Sequence, residues 1–307
     1  MLSYFLTVAR QLVIMTLLMA LGYILYRRGM LSDSTSRQLS ALLMRIVTPA
    51  VLLTAFARGF DPTLAKELGA AFLLAIVVYG LPILFSRLVW RGSPERRREK
   101  ALCTVFSNNG FMAIPLLQAL LGSTGVFLGA AHIVAGNTLQ WTYAARMLGG
   151  KEYRFDLRNL AANPGIIGLV GGMALFFLPV QLPGVVESTL GYLSDLNTPL
   201  AMLVLGVYLA QADLKRSMRD ASLQLLSFVK LVALPLALIG LFKLLPVSQV
   251  TATAMLIGSV APTGMTAPMM CQYFKQEHRY CALAVALSSL YCIVTIPLLL
   301  TLLQLVW

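Results

Sequence analysis

Ten apolar stretches follow one another along this chain of 307 residues, and each is about as long as a bilayer is thick. Only short charged or Gly/Pro-rich segments separate them, and none is long enough for a separate soluble domain. Charged residues make up 12% of the sequence, roughly half of what a soluble domain carries. The sequence therefore predicts an all-α integral membrane protein with helices at roughly 3–26, 36–57, 66–89, 101–121, 123–148, 162–179, 187–211, 220–245, 249–272 and 280–306.

The basic residues are distributed unevenly between the loops. Eighteen of the 24 Lys and Arg residues fall in the five loops that follow the odd-numbered predicted helices. Because cytoplasmic loops are enriched in Lys and Arg, we expect these loops in the cytoplasm and both termini on the other side of the inner (plasma) membrane. The same distribution accounts for the net charge of +12 without a nucleic-acid partner.

Three prolines of the first half recur in the second half at nearly one spacing. The offset is 150 residues for one pair and 153 for the other two, and the pairs are Pro49 with Pro199, Pro82 with Pro235, and Pro115 with Pro268. The chain is thus expected to consist of two five-helix repeats, 1–148 and 162–307, joined by a cytoplasmic connector, 149–161. With an odd number of helices in each, the second repeat would be inverted in the membrane, as in many secondary transporters. Chance alignment of prolines is the alternative.

Predicted helices 4 and 9 contain the residues that most disfavour an unbroken helix. Helix 4 contains Asn108, Asn109 and Gly110, followed by Pro115. In helix 9 the corresponding residues are Pro262, Thr263, Gly264, Thr266 and Pro268. Proline removes a hydrogen-bond donor and crowds the preceding turn, so both helices are expected to break near the middle of the membrane. Irregular backbone at that depth is tolerated only against protein or a water-filled cavity.

Such a pair of breaks favours an anion-binding site. A half-helix that begins after a break presents unpaired N–H groups and a partial positive charge. Amide and hydroxyl side chains beside it add donors without the cost of burying a full charge, so a carboxylate is the expected ligand. The alternative is that the Asn and Thr side chains only hold neighbouring helices together.

Four segments carry a resemblance to a known family: SNNGFMAIPLLQALLG at 107–122, AGNTLQWTYAARML at 135–148, NPGIIGLVGG at 163–172 and SVAPTGMTAPMM at 259–270. They resemble the auxin efflux carrier family, including its bacterial organic-acid members, and the resemblance covers essentially the whole chain. It implies a bile acid/sodium symporter-like fold in which helices 4 and 9 cross. Helices 3–5 and 8–10 would then form a transport domain that slides, as an elevator, against a scaffold of helices 1, 2, 6 and 7.

The resemblance also implies a homodimer and a carboxylated substrate, such as auxin, malate or malonate. In the family, an Asn of helix 4 helps to bind the carboxylate, and Asn108 or Asn109 matches that position. Helix 9 departs from the plant pattern, with Pro262, Thr263 and Gly264 where an Asn would be sought. The second half of the site is therefore expected to use backbone groups and Thr hydroxyls.

Three ionisable residues, Arg45, Asp195 and Lys230, lie deep within predicted helices, where charges are costly and commonly functional. Arg45 and Asp195 each precede a repeat proline by four residues. They either pair with each other, or Arg45 attracts the anion while Asp195 carries a proton or a cation. Lys230 is a candidate for proton coupling. The polar side chains of Asn137 and Gln140 in helix 5 are expected to line the same cavity.

The sequence therefore predicts a secondary transporter for a small organic anion, with membrane lipids as its surroundings. Alternatives are a sodium-coupled symporter of the same fold and a ligand-binding membrane sensor. No HExxH or G-x-S-x-G motif occurs, so an enzyme is not expected. The four cysteines are dispersed, and no metal or cofactor is expected. Coupling to protons, to sodium or to the membrane potential stays open.

Overall fold

The computed structural model describes residues 2–150, 153–155, 157–178 and 182–307, which include helices but no β-strand. The predicted connector 149–161 lies partly outside these ranges. The helices are α1 (Leu2–Arg27), α2 (Asp33–Phe56), α3 (Pro62–Val89), α4 (Pro94–Val105), α5 (Asn109–Gly149), α6 (Leu157–Ala161), α7 (Pro164–Phe177), α8 (Gly184–Gln211), α9 (Leu214–Arg219), α10 (Ala221–Lys243), α11 (Gln249–Val260), α12 (Thr266–Tyr273) and α13 (Arg279–Val306).

Seven of the described helices are long and apolar enough to cross a membrane: α1, α2, α3, α5, α8, α10 and α13. Two more, α7 and α11, are apolar but shorter. A chain with this many apolar helices is a multi-pass membrane protein, as its composition predicts.

Three of the helices that begin earlier than their apolar stretches indicated are preceded by a capping side chain. The predicted starts were 36, 66 and 101, whereas α2, α3 and α4 begin at Asp33, Pro62 and Pro94. In each case the residue before the helix accepts a hydrogen bond from a first-turn N–H group: Ser32, Asp61 and Ser93. The first turns contain polar residues, which extend each helix beyond its apolar part.

Helix α5 is 41 residues long, about twice the length that a bilayer requires. It doubles back at Gly122, whose φ of 62° is left-handed and suits glycine. A Cβ built on Gly129 would lie 2.4 Å from Leu117 Cδ1, although residues twelve apart in a straight helix are about 18 Å apart. The element therefore consists of two limbs, 109–121 and 123–149, that pack against each other.

The helices pack in two sets. Helix α1 runs along α8, while α2 packs against both α7 and α8. In the other set, α5 contacts α3 and α11, and α13 contacts α9, α10, α11 and α12. Between α1 and α8 the backbones approach closely, because a Cβ on Gly206 would lie 2.0 Å from the Met19 carbonyl oxygen.

We expect Gly206→Ala to destabilise the protein, since the added methyl group meets backbone that cannot rotate away. The cost should be about 1–3 kcal/mol of the free energy of unfolding. Gly240→Ala is the matched control, because no atom lies within 4 Å of its Cβ position. Thermal unfolding of the purified protein in detergent compares the two, and equal midpoints would contradict the close packing of α1 and α8.

Candidate functional site

The first predicted break is present at residues 106–108, between α4 and α5. Helix α5 begins with a wide π-helical turn, Asn109–Ala113, and Pro115 follows two residues later. Proline has no N–H group to donate and its ring crowds the carbonyl four residues earlier, which opens the preceding turn. Pro115 is buried and shapes the backbone at this point without lining the cavity described below.

The same arrangement occurs twice more. A π-helical turn at Leu43–Val47 precedes Pro49, and another at Val229–Ala233 precedes Pro235. These turns contain Arg45 and Lys230, two of the ionisable residues that the sequence singled out. Wide turns of this kind are frequent at functional sites.

The second predicted break is present at residues 261–265, between α11 and α12, and it contacts the first. The Asn108 N–H donates to the Pro262 carbonyl at 2.8 Å, and the Gly264 N–H donates to the Phe106 carbonyl at 2.9 Å. The two breaks therefore pair with each other as short antiparallel segments. A Cβ on Gly264 would lie 2.6 Å from the Ser107 carbonyl oxygen, so this approach requires glycine.

The side chain of Thr263 also holds the breaks together. It is fully buried, and its hydroxyl donates to the Cys103 carbonyl at 3.1 Å while its N–H donates to Ser288 Oγ at 3.0 Å. Sequence reasoning placed Pro262, Thr263 and Gly264 in the substrate site. In the structure their hydrogen bonds are with protein, and they lie behind the cavity without lining it.

A cavity of about 370 Å³ lies beside the paired breaks. It brings together seven of the residues that the sequence proposed for the site: Arg45, Asn108, Asn109, Gly110, Asn137, Gln140 and Thr266. Pro268 is buried and lines a neighbouring cavity. Of the described residues that line the cavity beside the breaks, none is acidic.

Asn108 lines this cavity and has a side-chain donor without a partner among the described residues. Its Oδ1 accepts the Phe111 N–H at 3.3 Å, which identifies the oxygen end of the amide. The Nδ2 group is buried and has no partner among the described residues. A buried amide without a partner costs free energy, so the site is arranged to receive a hydrogen-bond acceptor.

The side chain of Asn109 is hydrogen-bonded differently from that of Asn108. Its Nδ2 donates to the Tyr79 hydroxyl at 3.3 Å, and that hydroxyl donates in turn to the His132 carbonyl at 3.1 Å. The atom of Asn109 left without a partner among the described residues is Oδ1, an acceptor. Of the two asparagines that the sequence left as alternatives, Asn108 is the one whose amide nitrogen has no partner among the described residues.

Trp141 is a cavity-lining residue that sequence reasoning missed. It lines the cavity, and its buried Nε1 has no partner among the described residues. It lies on the wide turn Gln140–Ala144, one helical turn after Asn137. That spacing was the available signal, because residues four apart share a helix face. Asn137 and Gln140 are partnered, since Asn137 Nδ2 donates to Asn163 Oδ1 and Gln140 Nε2 donates to Met270 Sδ.

The three ionisable residues are separated in the structure. Arg45 lines the cavity, whereas Asp195 is exposed at the bend of α8 and lines none of the cavities described here. Both side chains lie in the described part of the chain, and they do not form an ion pair there. Lys230 lies on the far side of the first break, where its Nζ donates to Ser107 Oγ at 2.7 Å.

A larger vestibule of about 780 Å³ adjoins the cavity and shares with it Met44, Arg45, Phe111, Met265 and Met269. Its far end is lined by Asp33 and Arg37 at the start of α2. At the opposite end of α2, Phe56 packs on Phe127 with ring centroids 4.4 Å apart, and Phe127 packs on Phe176 of α7 at 4.9 Å. The vestibule thus extends from the cavity to the start of α2, and buried aromatic rings pack together at the opposite end of this helix.

Comparison with known proteins places this architecture in a family. The family model described as "Membrane transport protein" matches residues 7–300. An uncharacterized transporter of Methanothermobacter thermautotrophicus is 24% identical over 292 residues, which cover 92% of this chain and 93% of the relative. An uncharacterized transporter of Escherichia coli (strain K12) is 22% identical over 299 residues, covering 92% of this chain and 93% of the relative.

A protein of Rhizobium meliloti (strain 1021) named "Putative malonate transporter" is 26% identical over 149 residues, 46% of this chain and 47% of that protein. The family and these relatives are transporters and not enzymes, as the sequence predicted. The chain therefore belongs to the membrane transport protein family, the auxin efflux carrier family that its motifs resemble.

Proposed function

We propose that this protein is a secondary transporter that carries a small carboxylate across the membrane by alternating access. The observation that carries the proposal is the buried, unpartnered Nδ2 of Asn108, a residue that lines a cavity beside the contact between two interrupted helices. A carboxylate oxygen accepts such a donor and removes the cost of leaving it unpaired.

The electrostatics of the cavity favour an anion. Arg45 lines the wall shared by the cavity and the vestibule, and Trp141 Nε1 is a second unpartnered donor. The first turns of α5 and α12 contribute N–H groups and the positive end of the helix dipole. A dicarboxylate could use Asn108 for one carboxylate and Arg45 or Trp141 for the other. The name of the Rhizobium relative makes malonate the first compound to test.

The chain is proposed to cross the membrane ten times as two inverted repeats. In this count the two limbs of α5 belong to two different crossings, and α4 continues into the first limb across the break at 106–108. Helices α11 and α12 together form one crossing, and α7 forms another. The paired breaks are then the point where the fourth and ninth crossings meet. Support comes from the similar placement of the two breaks at 106–108 and 261–265, 155 residues apart by their first residues.

The position of the vestibule and of the aromatic cluster fits the cytoplasm-facing state of an elevator-type transporter. The vestibule reaches Arg37 at the start of α2, next to one of the basic loops assigned to the cytoplasm, and Phe56, Phe127 and Phe176 pack together at the opposite end of α2. The scaffold would be α1, α2, α7 and α8. The remaining membrane helices would form the moving transport domain, and release on the other side would separate Phe127 from Phe56.

A homodimer in the inner membrane completes the proposal. Asp195 is exposed on α8 beside the exposed side chain of Tyr192, and a carboxylate facing lipid would be costly. A second copy covering this face would remove the cost.

Native mass spectrometry should give twice the monomer mass of 33.4 kDa, and a monomer under every detergent and lipid condition would contradict the dimer.

We expect Asn108→Ala to weaken malonate binding by roughly 1.5–3 kcal/mol, more than tenfold, because it removes a hydrogen bond to a charged group. Isothermal titration of the purified protein measures the affinity. Asn109→Ala should have a smaller effect, since its free atom is an acceptor. Asn197→Ala removes a buried amide that lines neither cavity and serves as the control. Equal affinities for wild type and Asn108→Ala would contradict the site.

The orientation and the open side can be tested by thiol labelling in intact cells. Gln272→Cys, in the vestibule, should react with a membrane-impermeant maleimide only after the cells are opened. Ser123→Cys, exposed at the turn between the limbs of α5, should react in intact cells. The wild-type protein is the control because its four cysteines are buried. The reverse pattern of labelling would overturn both the orientation and the assigned state.

A further inference from the structure

Lys230 carries a buried amino group next to the paired breaks. The residue is 4% exposed and lies on the wide turn of α10. Its Nζ donates to Ser107 Oγ at 2.7 Å and to the Thr104 carbonyl at 3.2 Å, so it contacts the end of α4 and the first break.

The surroundings of Lys230 contain no counter-charge. The titratable groups that face it are Tyr79 of α3, Cys103 of α4 and His132 of α5, and α11 contributes Ser259. No carboxylate of the described residues lies within ion-pair distance of its Nζ. A buried ammonium without a counter-charge costs free energy. Lysine, unlike arginine, can avoid that cost by releasing its proton.

Ser107 connects this lysine to the substrate cavity. It lines both the small space around Lys230 and the cavity beside the breaks, and it directly precedes Asn108. Its hydroxyl accepts the lysine hydrogen bond and donates to the Ser259 carbonyl at 3.3 Å. An anion held by Asn108 would therefore be the nearest counter-charge that Lys230 can acquire.

We propose that Lys230 binds a proton when the anion binds, so that one proton accompanies each anion through the carrier. The inference rests on the proposed function and identifies the proton as the coupling ion of that transport. By linkage, an anion that favours the charged lysine must itself bind more tightly when the lysine is charged. The proton comes from water on the loading side and returns to water on the other side, when the anion leaves and the lysine becomes neutral.

The experiment is a titration of the full-length protein with malonate between about pH 7 and pH 9, in buffers that differ in ionisation enthalpy. For the wild type we expect one proton taken up per malonate bound and an affinity that falls about a hundredfold across this range, tenfold per pH unit. Lys230→Met removes the charge and should bind weakly, without proton uptake or pH dependence. Lys230→Arg keeps a charge that does not titrate and should bind at every pH, also without proton uptake.

Lys243→Met is the matched control, because Lys243 is the exposed lysine at the end of the same helix, and it should behave as the wild type. Proton uptake that persists in Lys230→Met, or a wild type that binds malonate without proton uptake, would overturn the assignment of Lys230 and leave the carboxylate site standing. Failure of malonate to bind the wild type at every pH would instead overturn the carboxylate site, and this proposal with it.

Discussion

The structure depends on hydrogen bonds between two interrupted backbones. An unpaired N–H or C=O group away from water costs several kcal/mol, so a helix interrupted inside the protein needs a partner. The breaks at 106–108 and 261–265 supply it for each other, through the pairs Asn108 to Pro262 and Gly264 to Phe106. The backbone groups at the breaks are paired in this way, while the side-chain nitrogen of Asn108 has no partner among the described residues.

Prolines produce much of the local geometry around the site. Pro49, Pro115 and Pro235 each follow a wide helical turn, because the missing N–H and the ring disturb the preceding hydrogen bonds. Those turns contain Arg45, Asn109 with Gly110, and Lys230. One cause therefore shapes three helices at the points where polar groups face the cavity or the breaks.

The sequence predicted much of this arrangement from local patterns. Apolar stretches located the helices, and the Asn, Gly and Pro clusters located both breaks. The roles of Thr263 and Trp141 could not be predicted, because they depend on Cys103, Ser288 and the cavity wall, which belong to other parts of the fold. The repeated prolines likewise could not show that Arg45 and Asp195 lie apart. A repeat identifies equivalent positions in the two halves of a chain, and it does not predict which side chains are in contact.

The most direct measurement is an experimental structure of the protein in lipid nanodiscs with malonate. We expect density for the ligand in the cavity beside the breaks, with one carboxylate oxygen within about 3 Å of Asn108 Nδ2 and the backbone pairs of the breaks intact. Ligand density elsewhere in the protein, or continuous helices through residues 106–108 and 261–265, would contradict this expectation.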